Sequence, residues 1–104
     1  TRGFVARFTS FWSGVDEDGM AKALATEYRS NASFAHRVFV SLNADYSSDA
    51  DDVALAYVNY ARRDAQLKAT IASHRALRDF LIKVMSEGWT SADEQLAIGF
   101  LRTL

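Results

Sequence analysis

The sequence predicts an all-α fold, a compact bundle of five or six helices. The 104 residues include no proline and only five glycines, so almost nothing in the chain removes a backbone donor or blocks a helical turn. Apolar residues recur at intervals of three and four, which is the spacing of one helix face. At 49% hydrophobic residues, one domain spanning residues 1–104 can bury a core without disulfides or metals. The predicted helices lie near residues 3–13, 17–30, 32–43, 49–63, 65–86 and 92–103, and the fifth has a division near residue 73 as an alternative.

The first predicted helix, residues 3–13, rests on an aromatic face. Phe4, Phe8 and Phe11 are spaced by four and three residues, which places them on one side of a helix. Gly14 follows and suits the left-handed conformation that often ends a helix.

The second and third predicted helices each carry an apolar stripe. Acidic residues at 16–18 favour a helix start, because carboxylates interact well with the positive end of a helix. The two stripes consist of Met20, Leu24 and Tyr28, and of Phe34, Ala35, Val38, Phe39 and Leu42. The segment 38–40 taken alone could form a strand, but the flanking pattern favours a helix.

The region 49–86 carries two apolar stripes on different sides of a helix. The first stripe consists of Val53, Tyr57, Tyr60, Leu67 and Ile71, and the second of Leu77, Phe80, Leu81 and Val84. A straight helix cannot present both stripes to one core. We therefore expect a break or kink between Arg62 and Ser73, the alternative being one long helix that contacts two partners in turn.

Several polar residues are predicted to mark helix ends. Ser48 or Asp49 is suited to cap the fourth helix, and Ser73 to cap a helix after the break. Gly88 is predicted to lie just beyond the end of the fifth helix.

The last helix has the clearest start signal. Ser91 and Glu94 match the capping box, in which each side chain accepts a hydrogen bond from the other residue's backbone. Trp89 could staple against Gln95 or Leu96. Gly99 lies within this helix, where glycine is unfavourable by about 1 kcal/mol, and this suggests close packing.

The apolar stripes together define the predicted core. Its members are Phe8, Phe11, Leu24, Tyr28, Val38, Phe39, Leu42, Val53, Tyr57, Leu67, Ile71, Leu77, Leu81 and Leu101.

Composition excludes several kinds of function. The chain has no cysteine, which rules out disulfides, thiolate metal sites and a cysteine nucleophile. No apolar run approaches the roughly 20 residues that span a bilayer. His36 and His74 lack metal-ligand spacing, and the acidic clusters fall where helices begin. The sequence therefore predicts no catalytic residue, no metal and no cofactor, and a protein that is not an enzyme.

Two groups of residues are candidates for binding. The formal net charge is −1, but the region 53–83 is rich in cations. The candidates for an anionic partner are Arg62, Arg63, Arg75 and Arg78. The candidates for an apolar partner surface are Phe4, Phe8 and Trp12, although core packing is the simpler interpretation of this helix.

We therefore expect a non-catalytic protein-interaction domain with an adaptor or regulatory role and a protein partner. The first alternative is a module that binds nucleic acid or another anion through residues 62–83. The second is a helical subdomain of a larger enzyme or secreted effector, because the chain begins with Thr1 and ends on an apolar residue. A soluble protein is expected, with a cytoplasmic location favoured.

Overall fold

In a computed structural model that describes residues 1–104, seven helices surround one hydrophobic core and a short hairpin follows the first helix. The elements are α1 (Arg2–Arg7), β1 (Thr9–Ser10), β2 (Gly14–Val15), α2 (Glu17–Thr26), α3 (Ala32–Asp45), α4 (Ser47–Ala61), α5 (Ala65–Ala72), α6 (Arg75–Ser86) and α7 (Ala92–Arg102). The predicted all-α class is confirmed, with seven helices instead of five or six. None of these helices has the length and apolar character needed to cross a membrane.

Helix α4 is the centre of the bundle. It packs against α2, α3, α5, α6 and α7. Val53 and Tyr57 of α4 are fully buried, as are its small residues Ala50, Ala54 and Ala61. Small side chains let neighbouring helices approach closely, so that one helix can contact five others.

Side-chain caps determine where most helices begin. Asp16, Asn31, Asp64 and Ser91 each accept a hydrogen bond from a backbone N–H in the first turn of the following helix. The predicted capping box of α7 is confirmed, since Ser91 and Glu94 satisfy each other's backbone donors.

Helix α4 begins without such a cap, and the prediction of Ser48 or Asp49 is wrong. The helix starts at Ser47 directly after Tyr46, which offers no side-chain acceptor. Helix α3 continues to Asp45, so only one residue separates the two helices. Ser48 and Asp49 therefore lie within the first turn of α4, not before it.

The predicted break between Arg62 and Ser73 is confirmed. Residues 62–64 separate α4 from α5, and a second interruption at 73–74 separates α5 from α6. His74 caps α6, whereas Ser73 was expected to do so. Gly88 has a φ of 68° and follows the end of α6, as predicted.

The first predicted helix is shorter than expected. It ends at Arg7, and Phe8 leaves the helical conformation with a φ of −114°. The Ser10 hydroxyl then accepts hydrogen bonds from the backbone N–H groups of Trp12 (3.3 Å) and Ser13 (3.4 Å). A serine that satisfies nearby backbone donors in this way favours a turn over a continuing helix.

Most of the predicted core is confirmed. The members that are buried are Leu24, Val38, Phe39, Leu42, Val53, Tyr57, Leu67, Ile71, Leu77, Leu81 and Leu101. Phe8 and Tyr28 are half-buried and pack against this core. Phe11 is 91% exposed, and its prediction as a core residue is wrong because the helix that would have buried it ends at Arg7.

Two expectations about α7 and its approach are also wrong. A Cβ atom on Gly99 would meet no atom within 4 Å, so this glycine is not at a point of close packing. Trp89 is 83% exposed and Leu96 is also exposed, so a buried staple does not form there.

Candidate interaction site

The β1–β2 hairpin presents two large aromatic side chains to solvent. Thr9 pairs with Val15 and Ser10 with Gly14 in antiparallel register. Gly14 has a φ of 74°, a conformation that glycine adopts without steric cost. The loop between the strands carries Phe11 and Trp12, which we call the hairpin tip.

The hairpin tip makes its aromatic contact within itself. The rings of Phe11 and Trp12 meet edge-on with centroids 5.0 Å apart, and each residue is 91% exposed. Isolated exposed apolar residues are common, but two adjacent aromatic residues at the end of a hairpin form a concentrated apolar projection.

An aromatic cluster anchors the base of the hairpin. The ring of Phe4 meets those of Phe8 at 5.2 Å and of Tyr28 and Phe34 at 5.4 Å. Phe4 is only 6% exposed, and Phe8 is half-buried. Of the three predicted apolar binding residues, Trp12 therefore lies on the surface. Phe4 and Phe8 instead pack in the aromatic cluster at the base of the hairpin.

An ion pair reinforces this support. The Arg7 guanidinium lies 4.9 Å from the centre of the Phe8 ring and 3.0 Å from the Glu27 carboxylate. The hydrogen bond from Arg7, followed by its charge, lowers the pKa of Glu27 despite some opposing desolvation. This ion pair links the end of α1 to the end of α2, the helices that precede and follow the hairpin in the chain.

A small depression adjoins the base of the hairpin. Its volume is about 210 Å³, and Val5, Ala6, Thr9 and Tyr46 contribute to its lining. Thr9 belongs to the first hairpin strand, so the depression and the hairpin share one face of the molecule.

The predicted cations do not form one cluster. Arg62 lies 5.5 Å from the centre of the Phe100 ring, and Lys68 lies 5.8 Å from the same ring. Arg78 is instead paired with Asp79 at 2.9 Å.

The two other predicted arginines, Arg63 and Arg75, are exposed. The Arg63 side chain donates a long hydrogen bond of 3.5 Å to the backbone carbonyl of Asn59. Sequence reasoning did not bring Lys68 together with Arg62, because the two meet only through Phe100 of α7.

Acidic side chains meet where α2 and α4 begin. Asp49 and Asp52 are the acidic groups that act on the Glu17 carboxyl. Burial, followed by the influence of these two carboxyl groups, raises the pKa of Glu17 to about 8. The sequence indicated helix starts at both acidic runs, but not that the runs would approach each other.

Two further carboxyl groups, those of Asp51 and Glu94, act on each other near the start of α7. Burial, followed by the charges of Asp52 and Glu94, raises the pKa of Asp51. One Glu94 carboxylate oxygen serves the capping box, and the other is buried without a hydrogen-bond partner. No three histidine, aspartate or glutamate side chains are arranged to hold a metal ion.

Comparisons of the chain with protein-family models, with curated proteins and with solved structures found no match.

Proposed function

We propose that this domain is a non-catalytic protein-interaction module whose contact surface centres on the hairpin tip. The supporting observation is that Phe11 and Trp12 are each 91% exposed while the rest of the aromatic cluster is packed. Tryptophan is among the residues that contribute most to protein–protein binding, because its large ring can be fully desolvated in a partner's pocket.

The support beneath the tip favours binding over random exposure. The strand pairing and the Ser10 hydrogen bonds restrict the conformation of the loop. The Phe4 cluster fixes the base of the hairpin to α2 and α3. A preorganised contact loses less conformational entropy on binding.

The surroundings of the tip indicate the partner's chemistry. Asp16 and Asp18 follow the hairpin closely in sequence. A complementary partner therefore carries an apolar pocket for the indole ring and basic residues at the rim of that pocket. Complementary charge would guide encounter and orientation, and burial of the aromatic rings would supply most of the affinity.

Site-specific photo-crosslinking tests this proposal in the native cell. A photoreactive phenylalanine analogue is placed at Trp12 in one variant and at Trp89 in another, since both tryptophans are exposed. We expect one partner protein to be captured from position 12 and not from position 89. Capture should be lost when Phe11→Ser is added.

Purified partner then provides a quantitative test. Trp12→Ala should weaken binding by about 30-fold or more, as for a hot-spot residue, whereas Trp89→Ala should leave it unchanged. Equal effects of the two substitutions, or equal capture from both positions, would contradict the assignment to the hairpin tip.

A second candidate function is anion or nucleic-acid binding, which one observation favours. Arg62 and Lys68 converge on the Phe100 ring, and neither takes part in an ion pair. Two such cations beside a half-buried aromatic ring suit a phosphate group next to a base.

Salt dependence tests this second candidate. Binding of a fluorescent single-stranded oligonucleotide should weaken about tenfold or more between 50 and 200 mM salt if several phosphates are contacted. Arg62→Ala with Lys68→Ala should remove binding, and Arg75→Ala serves as the exposed cationic control. Flat or undetectable binding would eliminate this function.

A further inference from the structure

The two histidines of the chain meet across the interface between α3 and α6. The ring centroids of His36 and His74 are 5.7 Å apart, and the planes are inclined by 56°. The His36 ring also contacts Phe80 of α6 at 5.6 Å. Both histidines are half-buried. The fold thus joins two side chains of a type that ordinarily titrates near neutral pH.

His74 also caps α6. Its Nδ1 atom accepts a hydrogen bond of 3.0 Å from the backbone N–H of Leu77. A nitrogen that accepts a hydrogen bond carries no proton, so the neutral ring must hold its proton on Nε2. That tautomer leaves His74 without a free lone pair, so a proton can bind its Nδ1 only by replacing the hydrogen bond from Leu77.

Protonation of His74 opposes this arrangement in two ways. The cationic ring has a proton on Nδ1 and cannot accept the bond from Leu77. Its positive charge also lies at the positive end of α6, beside His36. Burial, and after it the charge of His74, lowers the pKa of His36.

The charged groups around the pair do not relieve this repulsion. No ion pair includes either histidine. Arg37 and Arg75 directly follow the two histidines in sequence. The other charged groups of α6 and its neighbouring helices are Asp45 of α3, Arg78, Asp79 and Lys83 of α6, Asp49, Asp51 and Asp52 of α4, Lys68 of α5, and Asp93, Glu94 and Arg102 of α7. The charge of His74 contributes to the lowered pKa of His36, after burial.

We propose that His36 and His74 form a pH-sensitive latch that holds the first turn of α6 against α3. With both rings neutral, His74 caps the helix and the turn is closed. As the pH falls, protonation of the imidazole rings removes the cap and the rings repel each other. The turn at residues 75–78 then opens while the remainder of the bundle stays folded.

Hydrogen exchange measured by NMR tests the latch. The protection factor of the Leu77 amide should fall about fivefold or more between pH 7.5 and 5.5, the effect of losing one helix cap. The amide of Tyr57 in the central helix is the internal reference and should change less. A Leu77 protection factor that stays constant, or falls no more than that of Tyr57, overturns the proposal in the unmodified protein.

Matched variants separate the two histidines. His74→Asn keeps a capping side chain but cannot be protonated, so protection of Leu77 should become independent of pH. His36→Gln removes the opposing charge and should reduce the loss of protection without abolishing it. The latch is overturned if the Leu77 amide of the His74→Asn protein loses as much protection between pH 7.5 and 5.5 as that of the unmodified protein. Circular dichroism at pH 7.5 verifies that both variants retain their helices.

Discussion

The rings of Phe39 and Tyr57 meet at the centre of the bundle with centroids 5.4 Å apart and planes inclined by 60°. Both residues are fully buried, and the Tyr57 hydroxyl has no hydrogen-bond partner. Burial therefore raises the pKa of Tyr57. A buried hydroxyl without a partner costs about 1–3 kcal/mol, so the centre of this core contains a polar atom that weakens it.

Replacement of Tyr57 by phenylalanine should stabilise the domain. Tyr57→Phe removes the unpaired hydroxyl and keeps the edge-on contact with Phe39, so we expect the free energy of unfolding to rise by about 1 kcal/mol. Urea denaturation measures the change. Tyr60→Phe is the control, because the Tyr60 hydroxyl donates to Asp18 at 3.3 Å and its loss should not stabilise. A destabilised Tyr57→Phe protein would show that the hydroxyl has a partner.

Two phenylalanines that the sequence placed in one core should respond differently to truncation. Phe39→Ala should lower the free energy of unfolding by about 3–5 kcal/mol, because it opens a cavity in packed surroundings. Phe11→Ala should change it by less than about 0.5 kcal/mol, because that side chain is 91% exposed. Denaturation of the two variants in parallel measures the contrast. A large loss from Phe11→Ala would mean that the hairpin tip packs against the bundle.

Alanine at Gly99 should stabilise α7. Gly99 lies inside the helix, and a Cβ there would meet no atom within 4 Å. Gly99→Ala should therefore raise the free energy of unfolding by about 0.5–1 kcal/mol, which thermal denaturation can measure.

Gly19 in α2 provides the matched control. Its backbone N–H donates to the Asp16 carboxylate at 3.1 Å, and an added Cβ would collide with that carboxylate. Gly19→Ala should thus destabilise the domain even though both glycines lie in helices. The same sign of change at both positions would contradict the local geometry of one of them.

The carboxyl cluster of Glu17, Asp49 and Asp52 should make stability depend on pH. The pKa of Glu17 is raised from 4.5 to about 8 in the folded chain, so the folded state binds a proton that the unfolded state releases. This contribution is fully present below pH 4.5 and is lost as the pH rises through 8. The melting temperature should therefore be higher at pH 5 than at pH 8.

Separate variants distinguish this effect from that of the histidines. The lowered pKa of His36 contributes stability above pH 6.5 that is lost as the pH falls through the folded value, which is the opposite sign. The comparison is best made in the His36→Gln protein, with and without Glu17→Gln. Glu17→Gln should remove most of the decline in melting temperature between pH 5 and pH 8, and an unchanged decline would assign it to another group.

The sequence predicted the helical core because each helix carries its own apolar stripe. Leu24, Val38, Leu67 and Leu101 all lie on predicted stripes and are all buried. Local capping signals such as Ser91 were also sufficient, because a cap involves residues only three positions apart. Both kinds of information reside in short segments and need no knowledge of tertiary contacts.

The hairpin was not predictable from the same signals. Its strands have two residues each, which is too short for a period of two to appear. Phe11 continues the helical spacing of Phe4 and Phe8, although the helix ends at Arg7 and the Ser10 hydroxyl stabilises the turn that follows. The serine's capacity to form a turn was the available signal, and the aromatic periodicity obscured it.

Contacts between distant segments were likewise beyond the sequence. His36 and His74 share no motif, and only the packing of α3 on α6 brings their rings together. The same holds for Arg62 and Lys68, which meet over Phe100 of α7. Lone residues of these types carry no spacing pattern from which a partner can be inferred.

The position of α4 constrains how the domain can come apart. Helix α4 contacts α2, α3, α5, α6 and α7, so its unfolding would expose most of the apolar interior at once. We therefore expect that loss of α4 leaves no smaller folded remnant and that global unfolding proceeds in a single cooperative step.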